Sequence, residues 1–114
     1  MTGVQTCALP ISVAHLYDPM HPAVLRLLAM AITGAEKAGR PIAVCGEMAG
    51  DLRMTRLLLG LGLRNFSMHP AHIPGVKQRV LTSNAGTAKP VVERIRKSDS
   101  PNKIRTMLDK LNAF

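Results

Sequence analysis

Apolar positions along this chain alternate between helical and strand-like spacing. Over residues 22–38, Val24, Leu25, Leu27, Leu28, Ala31, Ile32 and Ala35 recur with the helical period. Pro22 suits a first helical turn and Gly39 fits the C-terminal cap. The run 42–45 is short and wholly apolar, the pattern of a strand buried on both faces of a parallel sheet. Asp51 is then a good N-cap for a second helix through Leu61, ended by Gly62. Asn65, Phe66, Ser67 and Met68 read as another short strand, which His69-Pro70 breaks. Pro74 begins a third helix in which Val76, Val80 and Leu81 share a face. Helix, strand, helix, strand, helix implies an α/β fold with a parallel sheet and covering helices.

Beyond Ser83 the pattern becomes helical only. Asn84-Ala85-Gly86 reads as a break, and Pro90 interrupts or starts a helix carrying Val91, Val92 and Ile95. Ser98-Asp99-Ser100-Pro101 is a stop followed by a cap-plus-proline start. Ile104, Met107, Leu108 and Leu111 mark a last amphipathic helix. The tetrapeptide Met20-His21-Pro22-Ala23 recurs as Met68-His69-Pro70-Ala71. Nothing around the two copies matches, so the recurrence reads as coincidence rather than an internal repeat.

Composition narrows the class. With 114 residues, 46% hydrophobic and 3% aromatic, the chain fits one small domain with an aliphatic core. No run approaches the roughly 18–20 apolar residues of a membrane span. Two distant cysteines, Cys7 and Cys45, make no disulfide framework, so a reducing cytoplasmic setting is expected. The net charge is +8, which raises nucleic acid as a partner. From Lys77 to Lys110, however, nine bases and three acids mostly alternate with apolar residues at helical spacing. That is the look of solvated helix faces, and no aromatic residues interleave for base stacking.

The first dozen residues stand apart. Residues 1–12 show neither period and lack the positive start and apolar core of a signal peptide. They resemble the in-frame translation of a sequencing-library adapter. The expectation is a non-native leader, with the natural protein extending upstream of Val13.

Chemistry concentrates in Cys45-Gly46-Glu47-Met48-Ala49-Gly50-Asp51. This places a thiol at a strand's C-terminal end, on a glycine-rich turn that opens a helix. Parallel α/β folds put their chemistry there. A buried structural thiol is the bland alternative, since free cysteine packs as a small hydrophobe. Asp51 suits a helix cap better than a metal ligand. His15, His21, His69 and His72 have no zinc-ligand spacing, and His69 and His72 read as loop residues. Met20, Met48 and Met68 border the same face and read as packing.

With that motif placed, a family is recognisable. Residues 13–83 resemble the C-terminal part of Enzyme I, the phosphoenolpyruvate–protein phosphotransferases of the bacterial phosphotransferase system. These are grouped with the PEP-utilising enzymes. Three pieces carry the match in order and spacing: His15-Leu16-Tyr17-Asp18-Pro19-Met20, then Val44 to Asp51, then Leu57-Leu58-Leu59-Gly60-Leu61-Gly62-Leu63 with Phe66-Ser67-Met68. The helices after Asn84 match in character only. The resemblance implies a (β/α)₈ TIM barrel, which needs about 250 residues. This chain would hold roughly its last third, with a partial PEP-binding barrel domain over 13–83 and a C-terminal helical tail over 84–114.

The same resemblance implies the chemistry. In the family, phosphoenolpyruvate gives its phosphoryl group to an enzyme histidine, and from there to a histidine-containing phosphocarrier protein. Cys45 matches the residue that protonates enolpyruvate. A thiol with an ordinary pKa near 8.5 is mostly protonated at neutral pH and can serve as a general acid. Gly46 would let backbone approach the substrate, and Glu47 is a candidate to orient the thiol. Mg²⁺ is the implied cofactor, with its two acidic ligands and the phosphate-binding arginines upstream of Val13. The fragment is therefore expected to be inactive alone, although the parent is implied to be a cytoplasmic homodimer. Two other classes remain open: a non-catalytic interaction module and a basic nucleic-acid-binding protein.

Overall fold

The computed structural model describes residues 18–113. The leader assigned to residues 1–12, together with Cys7, His15 and Tyr17, lies outside the described residues. Helix α1 spans Pro22–Lys37, strand β1 Ala43–Cys45, and the single turn α2 Glu47–Gly50. Helix α3 (Leu52–Leu61), strand β2 (Asn65–Ser67) and a 3₁₀ turn (Pro70–His72) follow. The chain closes with α4 (Ile73–Leu81), α5 (Ala85–Lys97) and α6 (Pro101–Asn112). The two strands pair in parallel, with Ala43 opposite Asn65, Val44 opposite Phe66 and Cys45 opposite Ser67. The fold is therefore α/β in its first part, mostly helical, around a small parallel sheet.

The ends of α3 follow from its sequence. Asp51 Oδ1 accepts from the Arg53 amide at 2.9 Å, which satisfies one of the free donors at the helix start. At the other end Gly62 adopts φ 105°, a conformation glycine enters without a Cβ penalty. The Leu63 amide then donates back to the Leu58 carbonyl and the Gly62 amide to that of Leu59, each at 3.0 Å. Leu63 is swung into the core, as this kind of helix stop favours.

Helix α3 is the hub of the packing. Its residues Met54 to Leu59 are all buried, because α1, α4, α5 and α6 surround it. A helix covered on several sides has no need of a polar stripe, which accounts for three consecutive leucines. Leu25 and Ile32 from α1, Ala88, Val92 and Ile95 from α5, and Ile104, Leu108 and Leu111 from α6 share one cluster with Met54, Leu57 and Leu58. The helices after Asn84 thus join the same core as the α/β part. Val44 and Phe66 reach that core from the sheet.

Four expectations change. Strand β1 is not buried on both faces: Ala43 and Cys45 are exposed and only Val44 is partly covered. Among the described residues, one face of the two-stranded sheet packs on the helices through Val44 and Phe66 and nothing covers the other. On α4 only Val76 is buried, while Val80 and Leu81 are exposed. Residues 84–86 are not a break but the start of α5, and Pro90 lies inside that helix. Asn84 Oδ1 accepts from the Gly86 and Thr87 amides at 2.8 and 3.3 Å, so capping and the burial of Ala88 start the helix ahead of the proline. Finally, the two Met-His-Pro-Ala copies share a local structure. Each histidine caps a helical start through Nδ1, accepting at 3.1 Å from the Ala23 amide in one copy and the Ala71 amide in the other. Their backbone angles agree within a few degrees. His69 is therefore a cap, not a plain loop residue.

Candidate functional site

The parallel register brings the C-terminal residues of the strands, Cys45 and Ser67, side by side. Cys45 is a free, exposed thiol. The chain leaves it through Gly46, whose φ of 77° and ψ of −155° suit glycine alone. That bend turns the strand into α2, and the Gly50 amide closes the turn by donating to the Gly46 carbonyl at 3.3 Å. Ala49 is fully buried beneath the turn and Met48 packs against the core. Cys45 thus sits where a short strand meets an anchored turn.

Asp51 ends α2 and begins α3. Arg53 folds back onto its carboxylate, donating through Nε and, at 2.7 Å, through a terminal nitrogen. These hydrogen bonds hold the Asp51 carboxyl below the usual carboxylate range, against a smaller opposing effect of burial. Asp51 is engaged as a cap and an ion-pair partner, as a helix-start aspartate should be.

Beside the turn lies an open depression of about 460 Å³, walled by Pro19, Glu47, Met48, Gly50, Asp51, Arg53 and His72. Glu47 opens α2 and is exposed along this wall. No hydrogen bond joins it to Cys45 among the described residues. His72, delivered by the turn after β2, packs on Gly50. The structure therefore gathers Cys45, Gly46 and Glu47 at one end of the sheet and adds Arg53, which the sequence did not single out, and His72, which reads as a loop residue in the sequence and which ends the Pro70–His72 turn. Arg53 could have been noticed, because it lies two residues after a capping aspartate. His72 carried no such signal, since its partner is a glycine distant in sequence.

One further residue escaped the sequence pattern. Arg56, on the hub helix, is only 5% exposed. Its Nε donates to Ser83 Oγ at 3.1 Å and a terminal nitrogen to the Leu111 carbonyl at 3.0 Å. Burial, and secondarily the charge of Arg79, lower its pKa. Arg56 ties the start of α5 to the end of α6 and stands apart from the thiol's surroundings.

Among the described residues no group of three or more His, Cys, Asp or Glu forms a metal-binding cluster, and no helix is long and apolar enough to cross a membrane.

The segment that builds this strand-end arrangement matches the family described as PEP-utilising enzyme, PEP-binding domain, over residues 9–85. The chain belongs to this family. Among curated PEP-utilising relatives, the phosphoenolpyruvate-protein phosphotransferase of Cupriavidus necator is 52% identical over 100 residues, covering 88% of this chain and 17% of that protein. The phosphoenolpyruvate-protein phosphotransferase of Haemophilus influenzae is 44% identical over 77 residues, covering 68% of this chain and 13% of the relative. That of Bacillus subtilis is 40% identical over 83 residues, covering 73% and 15%. The chain thus spans less than a fifth of the length of these relatives.

Proposed function

We propose that this chain is the thiol-bearing C-terminal segment of a phosphoenolpyruvate–protein phosphotransferase, and that Cys45 is its proton donor. The observation that carries the reading is a free, exposed thiol at the C-terminal end of a parallel strand, within the stretch that matches the PEP-binding domain. In the proposed reaction the phosphoryl group of phosphoenolpyruvate moves to an enzyme histidine, releasing enolpyruvate as its enolate. The Cys45 S–H bond breaks, a C–H bond forms at the methylene carbon, and pyruvate and a thiolate result. The thiolate is reprotonated from solvent before the next turnover. Gly46 keeps side-chain bulk away from the reacting carbon, and Glu47 contributes a negative charge along the neighbouring wall.

In this reading β1 and β2 are the last two strands of a (β/α)₈ barrel, which accounts for an apolar strand with an uncovered face. The substrate is phosphoenolpyruvate, the protein partner is a histidine-containing phosphocarrier, and the parent is a cytoplasmic homodimer. In this reading Mg²⁺ belongs to the parent reaction with its acidic ligands on parts of the parent upstream of Val13, and no step here is drawn through the metal. The chain alone is expected to be inactive, because the groups that would hold the substrate's phosphate lie on other parts of the parent.

The test is a chimera. Residues 13–114 replace the matching segment of the Cupriavidus necator relative, and phosphoenolpyruvate-dependent phosphorylation of the carrier is followed. Activity is expected for the chimera and none for the isolated chain. Cys45→Ala in the chimera should lower turnover by about 10²–10⁴, the usual worth of a positioned proton donor. Full activity in that variant, or phosphotransfer by the isolated chain, would contradict the proposal.

A further inference from the structure

The turn that follows Cys45 is held from the other strand's loop. A Cβ placed on Gly50 would lie 3.1 Å from His72 Cγ and 3.3 Å from both Cβ and Cδ2. The His72 side chain therefore rests directly on the Gly50 backbone. Cγ and Cδ2 belong to the ring and Cβ to the root of the side chain, so ring and root both lie over Gly50, and the root can leave only if the Pro70–His72 turn moves. That turn is itself fixed: His69 caps it through Nδ1, the His72 amide donates to the His69 carbonyl at 2.9 Å, and the two imidazoles meet edge to face at 6.2 Å. On the far side, Gly50 is bonded to the Gly46 carbonyl, one residue beyond the thiol.

From this chain of contacts we infer that His72 is a positioning residue, clamping the Gly46–Gly50 turn from the β2 loop and thereby fixing the direction of the Cys45 thiol. Cys45 and Ser67 end paired strands, but each strand is only three residues long. Two paired strands alone are weakly held. The clamp supplies what the short ladder lacks, a contact between the loops just past the reactive end. It acts through packing and not through a proton, so a planar ring of similar size can replace imidazole. The inference builds on Cys45 as the reacting thiol.

The test uses the full chain with Cys7→Ser, so that Cys45 is the sole thiol. Its alkylation by iodoacetamide is followed across neutral and alkaline pH, and Gly50 amide exchange is read in parallel. His72→Ala should change the limiting alkylation rate by about threefold or more and speed Gly50 exchange by a similar factor, the scale of a lost coupling between contacting groups. The thermal midpoint should hold, because the core helices are untouched. His72→Phe should keep the parent rates. Gly50→Ala should mimic His72→Ala, and the double variant should be no worse than His72→Ala alone. Three results overturn the inference: a His72→Ala rate profile equal to the parent, changes that track the thermal midpoint, or additive effects in the double variant. None of these readouts involves phosphoenolpyruvate, so an inactive chimera would sink the proposed function and leave the clamp standing.

Discussion

On α3, six consecutive side chains from Met54 to Leu59 are out of solvent, whereas on the strand pair Ala43, Cys45, Asn65 and Ser67 all face it. Both regions are short, and the two stretches 42–45 and 57–59 are equally apolar in sequence. What separates them is the number of neighbours. The helix is packed by α1, α4, α5 and α6, while among the described residues the sheet has one layer beneath it and none above. Burial is thus a property of the assembly around a segment and not of the segment. The region where chemistry is proposed is the one that the fold leaves uncovered.

The sharpest way to break this contrast is to remove a leucine from the hub. Leu58→Ala, at a fully buried site, should cost about 2–5 kcal/mol in urea unfolding. A loss below about 1 kcal/mol would mean that the hub is loosely packed. Gly60→Ala attacks the same region by overfilling it. The new Cβ would lie 2.5 Å from Val92 Cγ2, where α3 packs on α5. A loss of about 1–3 kcal/mol is expected, and Val92→Ala in the same chain should recover part of it.

The junction between the regions should respond to acid. Asp51 has a depressed pKa, so it contributes stability above its unfolded pKa, and that contribution is lost as pH falls through the folded value. Stability should therefore decline in moderate acid, below about pH 4, more steeply in the parent than in Asp51→Asn. Equal slopes in acid urea titrations would remove Asp51 from the account. The smallest effect belongs to the open region: Cys45→Ala should alter stability by no more than about 0.5 kcal/mol, as for an exposed side chain without partners in the core. A larger loss would make Cys45 a packing residue and weaken its chemical role.

Legibility in the sequence followed the same division. Asp51, Gly62 and the Ser100-Pro101 pair mark their helix ends locally, and those boundaries agree with the structure. Parallel pairing also followed from the alternation of short strands and helices. The thiol's place at a strand end was visible because the apolar run stops at Cys45 and glycine follows. What could not be seen depends on distant partners. The exposure of β1 reflects a sheet that, among the described residues, packs on the helices through one face only. The early start of α5 reflects Asn84 and the pull of the core on Ala88, which override the signal of Pro90. The contact of His72 with Gly50 joins two loops with no shared pattern. Arg56 looks like any polar position on a helix until α5 and α6 close over it.

The twin histidine caps have a consequence for where protons reside. At His21 and His69 the Nδ1 atom accepts a backbone N–H, so it must hold its lone pair. A neutral imidazole has one hydrogen to place, and here it belongs on Nε2. The backbone thus selects a single tautomer at both sites. Each ring is left with Nε2 as a donor and no free nitrogen lone pair to offer a metal ion or an acidic substrate. Nitrogen chemical shifts of the two rings, assigned separately, would show one shared pattern written by four identical residues.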